Sequence, residues 1–318
     1  MKHRFTTTVS KQFLVALAMA VVWLSSSSVA YSQTFARIAA WNQQGVEFPG
    51  GDTPPVPVHK AAQLRAALAA INADVIAMSE VNSRADMDEV VATPLANGVR
   101  YKVNMDDNQS VPQKIAVLFK DRPDISVTNR RAIPGSDDNQ PGRLRDAFAF
   151  DVKIRNFDFL LIAVHLKSGR GNAERATRSR QAAKIAAFIK HEVDTNPEKD
   201  VLVLGDYNMV PGQDAVNFAK LSPGPANNEF LRYISDEVPG HPPSHIQTCT
   251  NQTSFEGNPL DGFGISKTHT HEFTGFVRVL PLHTTLAPPN RGCFNYKRFV
   301  SDHLPVVARF RVSGTDDD

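Results

Sequence analysis

The sequence predicts an α/β protein in which mixed sheets carry helices on their faces. Nine short β-rich runs recur between Phe35 and Val312, and two Ala-rich segments with apolar residues at helical spacing lie among them. The runs are of two kinds: DVKIRNFDF alternates polar with apolar residues, whereas VLVLGD is apolar up to its glycine. Alternation belongs to strands wetted on one face, and unbroken apolarity to central strands covered on both. Mixed sheets are therefore expected rather than a purely parallel, doubly wound one.

FARIAAW (35–41) opens the series as a strand. A helix is expected over Val58–Ile71 (VHKAAQLRAALAAI), where Ala, Leu, Arg and Lys favour helix and the apolar residues share a face. The strands DVIAMSE (74–80), KIAVLFK (114–120) and DISVTNR (124–130) follow. DAFAFDVKI (146–154) and FDFLLIAVHL (157–166) lie so close about Asn156 that a tight antiparallel hairpin is expected. The second helix covers Ala173–His191 (AERATRSRQAAKIAAFIKH), and DVLVLGD (200–206), FVRVLPL (276–282) and LPVVARFRV (304–312) complete the strands. Pro/Gly-rich stretches such as FPGGDTPPVP, IPGSDDNQPG and VPGHPPSH fall between elements and read as surface loops.

With 42% hydrophobic and 21% charged residues and no internal repeat, the chain is not disordered, collagen-like or a disulfide scaffold. Residues 1–30 read as a secretory signal: a basic start, the apolar run Phe13–Leu24, a serine cluster, and small residues at Ser28 and Ala30. The run is well short of the ~20 residues that span a bilayer, so cleavage after Ala30 and a periplasmic or secreted protein with no membrane span are expected. The remainder, 31–318, reads as one domain and a monomer. Lys2, Arg4 and Lys11 lie in the signal, which has no Asp or Glu, so its removal takes the formal charge from +2 to −1. A globally basic surface is thereby excluded, although a local basic groove is not. Export places Cys249 and Cys293 where thiols oxidise, and a disulfide between them is expected.

The informative pattern is that apolar strands end abruptly in polar groups. AAW ends in Asn42, VIAMS in Glu80, FLLIAV in His165, and VLVLG in Asp206 with Asn208 two residues on, while Asp302 and His303 precede the last strand. Each alone is an ordinary turn residue. Together, without thiols, they select a chemistry. Asn42, Glu80 and Asp302 are hard oxygen donors suited to Mg²⁺ or Mn²⁺ rather than zinc, and such a site usually acts on phosphate esters. If strand geometry persists past Asp206, Asp206 and Asn208 share a face, one orienting water and the other contacting phosphoryl oxygen, with Gly205 leaving room. His165 and His303 supply donors to the phosphate, and Lys167 lies close enough in sequence to add charge.

The ordered series WN, SEV, HLKSG, GDYN, LDGFGIS and SDHLP, from Trp41 to Pro305, resembles the endonuclease/exonuclease/phosphatase superfamily, the DNase-I-like phosphoesterases. The resemblance implies a four-layer sandwich, two packed mixed β-sheets flanked by helices, with the site at one edge. It also implies roles. Asn42, Glu80 and Asp302 would be metal-side residues, His165 a phosphate contact, and Asp206 with Asn208 the nucleophile-orienting pair. His303 would be the closing phosphate contact, held by Asp261. Arg145 stands where DNase-like members carry a phosphate-contacting arginine; its residue context equally allows a strand-edge arginine paired with Asp146 or solvent. The chain departs from the pattern at Ser79, where many members have Gln, and in lacking a His after Asp261.

The expected function is an exported, Mg²⁺-dependent phosphodiester hydrolase acting on nucleic acid. A sphingomyelinase-like or inositol-phosphate activity stands as the alternative, and behind it a binding protein that kept the fold. Lys167 is as readily a loop lysine, and Arg170, Arg175, Arg178, Arg180 and Lys184 form either a nucleic-acid patch or a solvated helix face. His241, His245, His269, His271 and His283 match no metal spacing and read as loop histidines near a substrate rim.

Overall fold

The computed structural model describes residues 34–44, 61–105, 111, 113–224, 230–237 and 242–314. The expected signal, the start of the first helix at 58–60 and His241 lie outside the described residues. Among these residues the chain builds two six-stranded mixed sheets and a two-stranded ribbon. The first sheet runs in the order β13 (Phe273–Val279), β14 (Val306–Arg311), β1 (Phe35–Asn42), β2 (Val75–Val81), β4 (Lys114–Lys120) and β3 (Tyr101–Met105). The second runs β5 (Ile125–Ala132), β6 (Phe148–Ile154), β7 (Phe157–His165), β8 (Val201–Asp206), β12 (Asp261–Ser266) and β9 (Leu231–Tyr233). β1 pairs with β2 and β7 with β8 in parallel, and the other pairings in the two sheets are antiparallel.

Three apolar clusters separate four layers. Between the sheets, Ile38, Ala40, Val306 and Phe310 meet Leu161, Leu202, Leu204 and Phe263. Outside the first sheet, Leu64, Leu68 and Ile71 of helix α1 (Ala61–Ile71) cover Ile76 and Met78. Helix α2 (Arg84–Val91), which the sequence pattern does not announce, starts at Ser83, whose hydroxyl accepts from the Asp86 N–H. Outside the second sheet, Ile185 and Ile189 of helix α3 (Asn172–Thr195) cover Ile162 and Val203. Each such side chain, fully buried, contributes about 1.5–3 kcal/mol. The all-apolar β8 is covered on both faces, as its composition requires.

Local expectations hold with shifts of a few residues. β6 and β7 form the hairpin, with Ile154 opposite Phe157 and Arg155 left-handed at φ 58°. The run at 276–282 is split: β13 ends at Val279, because Pro281 offers no N–H to a ladder and its carbonyl instead accepts the first bonds of α5 (Leu282–Thr285). Short helices α4 (Ala215–Leu221) and α6 (Cys293–Phe299) were masked in the sequence by mixed composition. The ribbon joins β10 (His245–Cys249) to β11 (Phe255–Asn258), and Cys249 is disulfide-bonded to Cys293 at the start of α6.

Candidate active site

The predicted site residues come together because period-two alternation carries the inner face of each strand straight into a polar residue. Leu202 and Leu204 of β8 face the core between the sheets, and Asp206 continues their row. The same step takes Leu161 and Ala163 to His165, Phe263 back to Asp261, and Ile38 and Ala40 to Asn42. Register then aligns these ends. His165 lies opposite Asp206 in the parallel β7–β8 pair, and Asp261 lies opposite Asp206 in the antiparallel β8–β12 pair. Three functional groups thus form one row across the second sheet. Asn42, at the matching edge of the first sheet, closes the gap: its Nδ2 donates to Asp206 Oδ2 at 3.0 Å and to Glu80 Oε1 at 3.0 Å.

Glu80 reaches that point against the alternation, which would aim Ser79 inward instead. The β2–β4 register shifts between Met78 and Val81, and Glu80 has a left-handed φ of 58°. Such a conformation costs about 1–2 kcal/mol outside glycine and is kept here at a carboxylate that faces the cleft.

Two sequence expectations at Gly205 and Asn208 are corrected. The strand stops at Asp206, so Asn208 is not its face-mate along a strand. An Asx turn brings it round: the Asn208 N–H donates to Asp206 Oδ1 at 2.8 Å, its φ is 50°, and its Nδ2 donates to the Leu166 carbonyl at 3.0 Å. Gly205 does not make room for substrate. With φ 140°, a Cβ there would stand 2.1 Å from the Val164 carbonyl oxygen, so glycine is required by the close approach of β7.

The two central imidazoles have opposite electrostatics. His303 Nδ1 donates to Asp261 Oδ2 at 2.6 Å, and its Nε2 lies 3.9 Å from both Asp206 and Asp302. Burial alone would lower its pKa, but the charge and hydrogen bond of Asp261, then Asp206 and Asp302, more than offset it. The group stays well above its ordinary value and is a cation at neutral pH. His165 is fully buried, and burial with the nearby Arg145 and His303 charges holds it well below its ordinary value, hence neutral. Arg145 Nη1 lies 2.8 Å from His165 Nδ1. A guanidinium can only donate, so Nδ1 accepts and the His165 proton sits on Nε2, aimed between Glu80 (3.6 Å) and Asp206 (3.7 Å).

Arg145 is therefore not the strand-edge arginine paired with Asp146: it is buried against His165 and bonded also to Gln113, while Asp146 bonds Ser136 and Asp137. Lys167 is not brought to the cleft. Its ammonium donates to the Ser168 carbonyl at 2.8 Å, as a loop lysine would. In the arginine group, Arg178 is 1% exposed and bonds the Lys167 and Gly169 carbonyls and Asp214, and Arg180 pairs with Asp138. Arg170 and Arg175 remain at the rim, on a cleft of about 290 Å³ lined also by Glu80, Asp206, Asn208, Asp302 and His303.

The carboxylates fit a hard divalent cation. Burial raises the Glu80 carboxyl above its ordinary value and the Asp302 charge adds to it. Burial, followed by the Asp261 charge, pushes Asp206 up to about 7. Buried carboxyls whose ionised forms crowd one another are what a Mg²⁺ or Mn²⁺ ion relieves, and one or two carboxylates suffice to hold Mg²⁺.

Residues absent from the sequence expectation support the frame. Trp41 Nε1 and the Tyr296 hydroxyl donate to the His303 carbonyl at 3.0 and 2.9 Å, and the Ser301 hydroxyl joins the His303 N–H to the Asn42 carbonyl. His245, read from the sequence as a rim histidine, stands beside His303 with ring centroids 4.8 Å apart. Nothing local to these residues signals their roles, because each depends on a partner far away in the chain.

A family model described as the Endonuclease/Exonuclease/phosphatase family matches residues 39–303. Truncated TDP2 from Caenorhabditis elegans superposes with a TM-score of 0.58 at 15% identity, covering 87% of this chain and 97% of that one. The human Nocturnin catalytic domain with bound sulfate gives 0.55 at 16% identity over 87% and 94%. The 3' phosphatase NExo from Neisseria, bound to a product DNA hairpin, gives 0.55 at 14% identity over 86% and 99%. No curated protein matches the chain by sequence.

Proposed function

Because this chain belongs to the Endonuclease/Exonuclease/phosphatase family, we propose that it is an exported, divalent-metal-dependent phosphodiesterase whose substrate is nucleic acid. The observation that carries the reading is the cationic His303, fixed by Asp261 and facing a cleft that also holds Asp206, Asn208, Glu80 and Asp302. A cation and a basic carboxylate in one cleft suit in-line attack of water on phosphorus. Likeness to folds solved with a DNA hairpin product and with sulfate supports an anionic phosphate ligand.

Asp206 accepts a proton from the attacking water, whose oxygen lone pair forms the new bond to phosphorus, while the opposite P–O bond breaks with its electron pair leaving on the alkoxide oxygen, which takes a proton from solvent. Its Oδ1 is steadied by the Asn208 N–H and its Oδ2 by Asn42. The charge that builds on the equatorial oxygens is met by His303 Nε2–H and by the neutral His165 Nε2–H, whose proton Arg145 keeps in place. A bound Mg²⁺ or Mn²⁺, held by Glu80 and Asp302 with Asn42 beside them, would supply Lewis-acid neutralisation of the same charge. No covalent enzyme intermediate is needed. Export is supported by the disulfide and by the signal expected over residues 1–30. Among the described residues no helix is long and apolar enough to cross a membrane.

The test is hydrolysis of bis-p-nitrophenyl phosphate with Mg²⁺, with Mn²⁺ and with EDTA, followed by plasmid DNA, RNA, sphingomyelin and inositol phosphates. Metal-dependent cleavage of DNA or RNA is the expected result. Turnover confined to sphingomyelin or inositol phosphates would replace the substrate class, and no turnover of any phosphoester would remove the enzyme reading.

A further inference from the structure

The ribbon of β10 and β11 belongs to neither six-stranded sheet, yet its base is fastened to the candidate site. The Ile246 N–H donates to the Asp302 carbonyl and the Leu304 N–H to the Ser244 carbonyl, each at 2.6 Å, and His245 forms a lone antiparallel bridge with His303. The Cys249–Cys293 disulfide ties the same strand to α6. His245 is thereby held on the cleft with its Nε2 3.8 Å from Asp302 Oδ2.

The other ring nitrogen, Nδ1, is buried with no hydrogen-bond partner among the described residues. A buried N–H without an acceptor costs about 1–3 kcal/mol, so the proton belongs on Nε2, which faces the cleft. This arrangement is the reverse of a metal ligand, which presents a lone pair to the ion and donates its second N–H to a carboxylate or carbonyl. His245 is built to donate to an oxygen. Around it the ribbon presents Asn258, directly opposite His245 in the β10–β11 register, and Gln247, whose Oε1 accepts from Nη2 of Arg170 at 2.9 Å and so ties the loop before α3 to the ribbon. His245, Asn258 and Arg170 all line the cleft that also holds His303.

We propose that His245 and Arg170 form a subsite for the phosphate next to the scissile one, so that the chain favours polynucleotides over diesters with a single phosphate. The inference rests on the phosphodiesterase reading and deepens it to a substrate class. It is tested with bis-p-nitrophenyl phosphate, which has one phosphate, and a short single-stranded oligonucleotide, which has several. One hydrogen bond to an anionic oxygen is about tenfold in affinity. His245→Ala should raise KM for the oligonucleotide about tenfold with kcat nearly unchanged, leave KM for bis-p-nitrophenyl phosphate unaltered, and leave Mn²⁺ affinity by titration unaltered. Arg170→Gln should do the same and flatten the salt dependence of KM. His245→Gln, which keeps a donor, should recover part of the loss and so separate the contact from misfolding of the ribbon.

Equal KM increases on both substrates would move the contact to the scissile phosphate and overturn the subsite, and a fall in Mn²⁺ affinity would make His245 a metal ligand instead. An unchanged oligonucleotide KM in an active His245→Ala enzyme would also overturn it, leaving the phosphodiesterase reading intact. A wild type that hydrolyses neither substrate would remove that reading. Binding of a fluorescent oligonucleotide in EDTA would then still report on His245, with an unweakened His245→Ala overturning the subsite.

Discussion

Asp261→Asn isolates the element on which the mechanism depends, because it keeps the size and buried position of the side chain while removing its charge. In the wild type Asp261 Oδ2 is 2.6 Å from His303 Nδ1, and Asp206 and Asp302 each lie 3.9 Å from Nε2. Taken between the centres of the two delocalised groups, about 4 Å apart, unit charges interact by about 4 kcal/mol at an effective dielectric of ~20, which sets the scale of what the imidazolium loses. Asp206 and Asp302 still favour the cation, and an amide oxygen can still accept from Nδ1. The loss in kcat at pH 7 should therefore be about 10- to 100-fold, milder than the ~10²- to 10³-fold expected when His303→Ala removes the donor.

The pH profile carries the sharper test. Asp206 acts deprotonated, so rate climbs as pH rises through its pKa, pushed up to about 7 by burial and then by Asp261. His303 acts protonated, so rate falls as pH rises through its pKa, which Asp261 and its fellow carboxylates hold well above the ordinary value. Removing the Asp261 charge lowers both: Asp206 loses a repelling neighbour and His303 its main counter-charge. The whole bell should move to lower pH, as read from kcat/KM on bis-p-nitrophenyl phosphate at constant ionic strength and saturating metal. The double variant with His303→Ala should lose little more than His303→Ala alone. An unmoved bell, or fully additive losses, would refute the pairing and leave Asp261 a structural residue at the start of β12.

Glu80→Ala should weaken Mg²⁺ affinity and turnover without lowering thermal stability, since it removes a carboxyl whose ionised form burial and the Asp302 charge disfavour; unchanged metal titration would contradict its role. Peptide mass spectrometry without reduction should find Cys249 joined to Cys293, and replacing both by Ser should cost about 4 kcal/mol in denaturant unfolding, the loop entropy of a 44-residue separation. Arg178→Met should destabilise the fold by about 3 kcal/mol, because it removes the buried counter-charge of Asp214 and leaves that carboxylate the Val210 N–H and Arg175 at 3.8 Å; a variant melting like wild type would show that these two suffice. Gly205→Ala should fold poorly or not at all, as its Cβ would meet the Val164 carbonyl oxygen at 2.1 Å.

Whereas Asp261 came only from the resemblance, the strand ends at Asn42, His165 and Asp206 were legible from the chain alone, because period-two alternation is a local property and an apolar row that stops at a polar residue marks itself. So were the mixed sheets, the β6–β7 hairpin and the pairing of the cysteines. Other features required long-range register. The row His165–Asp206–Asp261 depends on how β7, β8 and β12 align, and the turn of Glu80 into the cleft depends on a shift against β4. The sequence left Arg145 open between a phosphate contact and a strand-edge arginine, and Lys167 between a substrate contact and a loop lysine; the tertiary structure sets Arg145 against His165 and Lys167 on its own loop. His245 looked like one loop histidine among several until a ribbon outside both sheets set it beside His303. Sequence thus determined which side chains end the strands. Only the tertiary structure decided their neighbours, and neighbours fix which imidazole is charged and which nitrogen holds its proton, because burial and counter-charge are properties of the assembled edge.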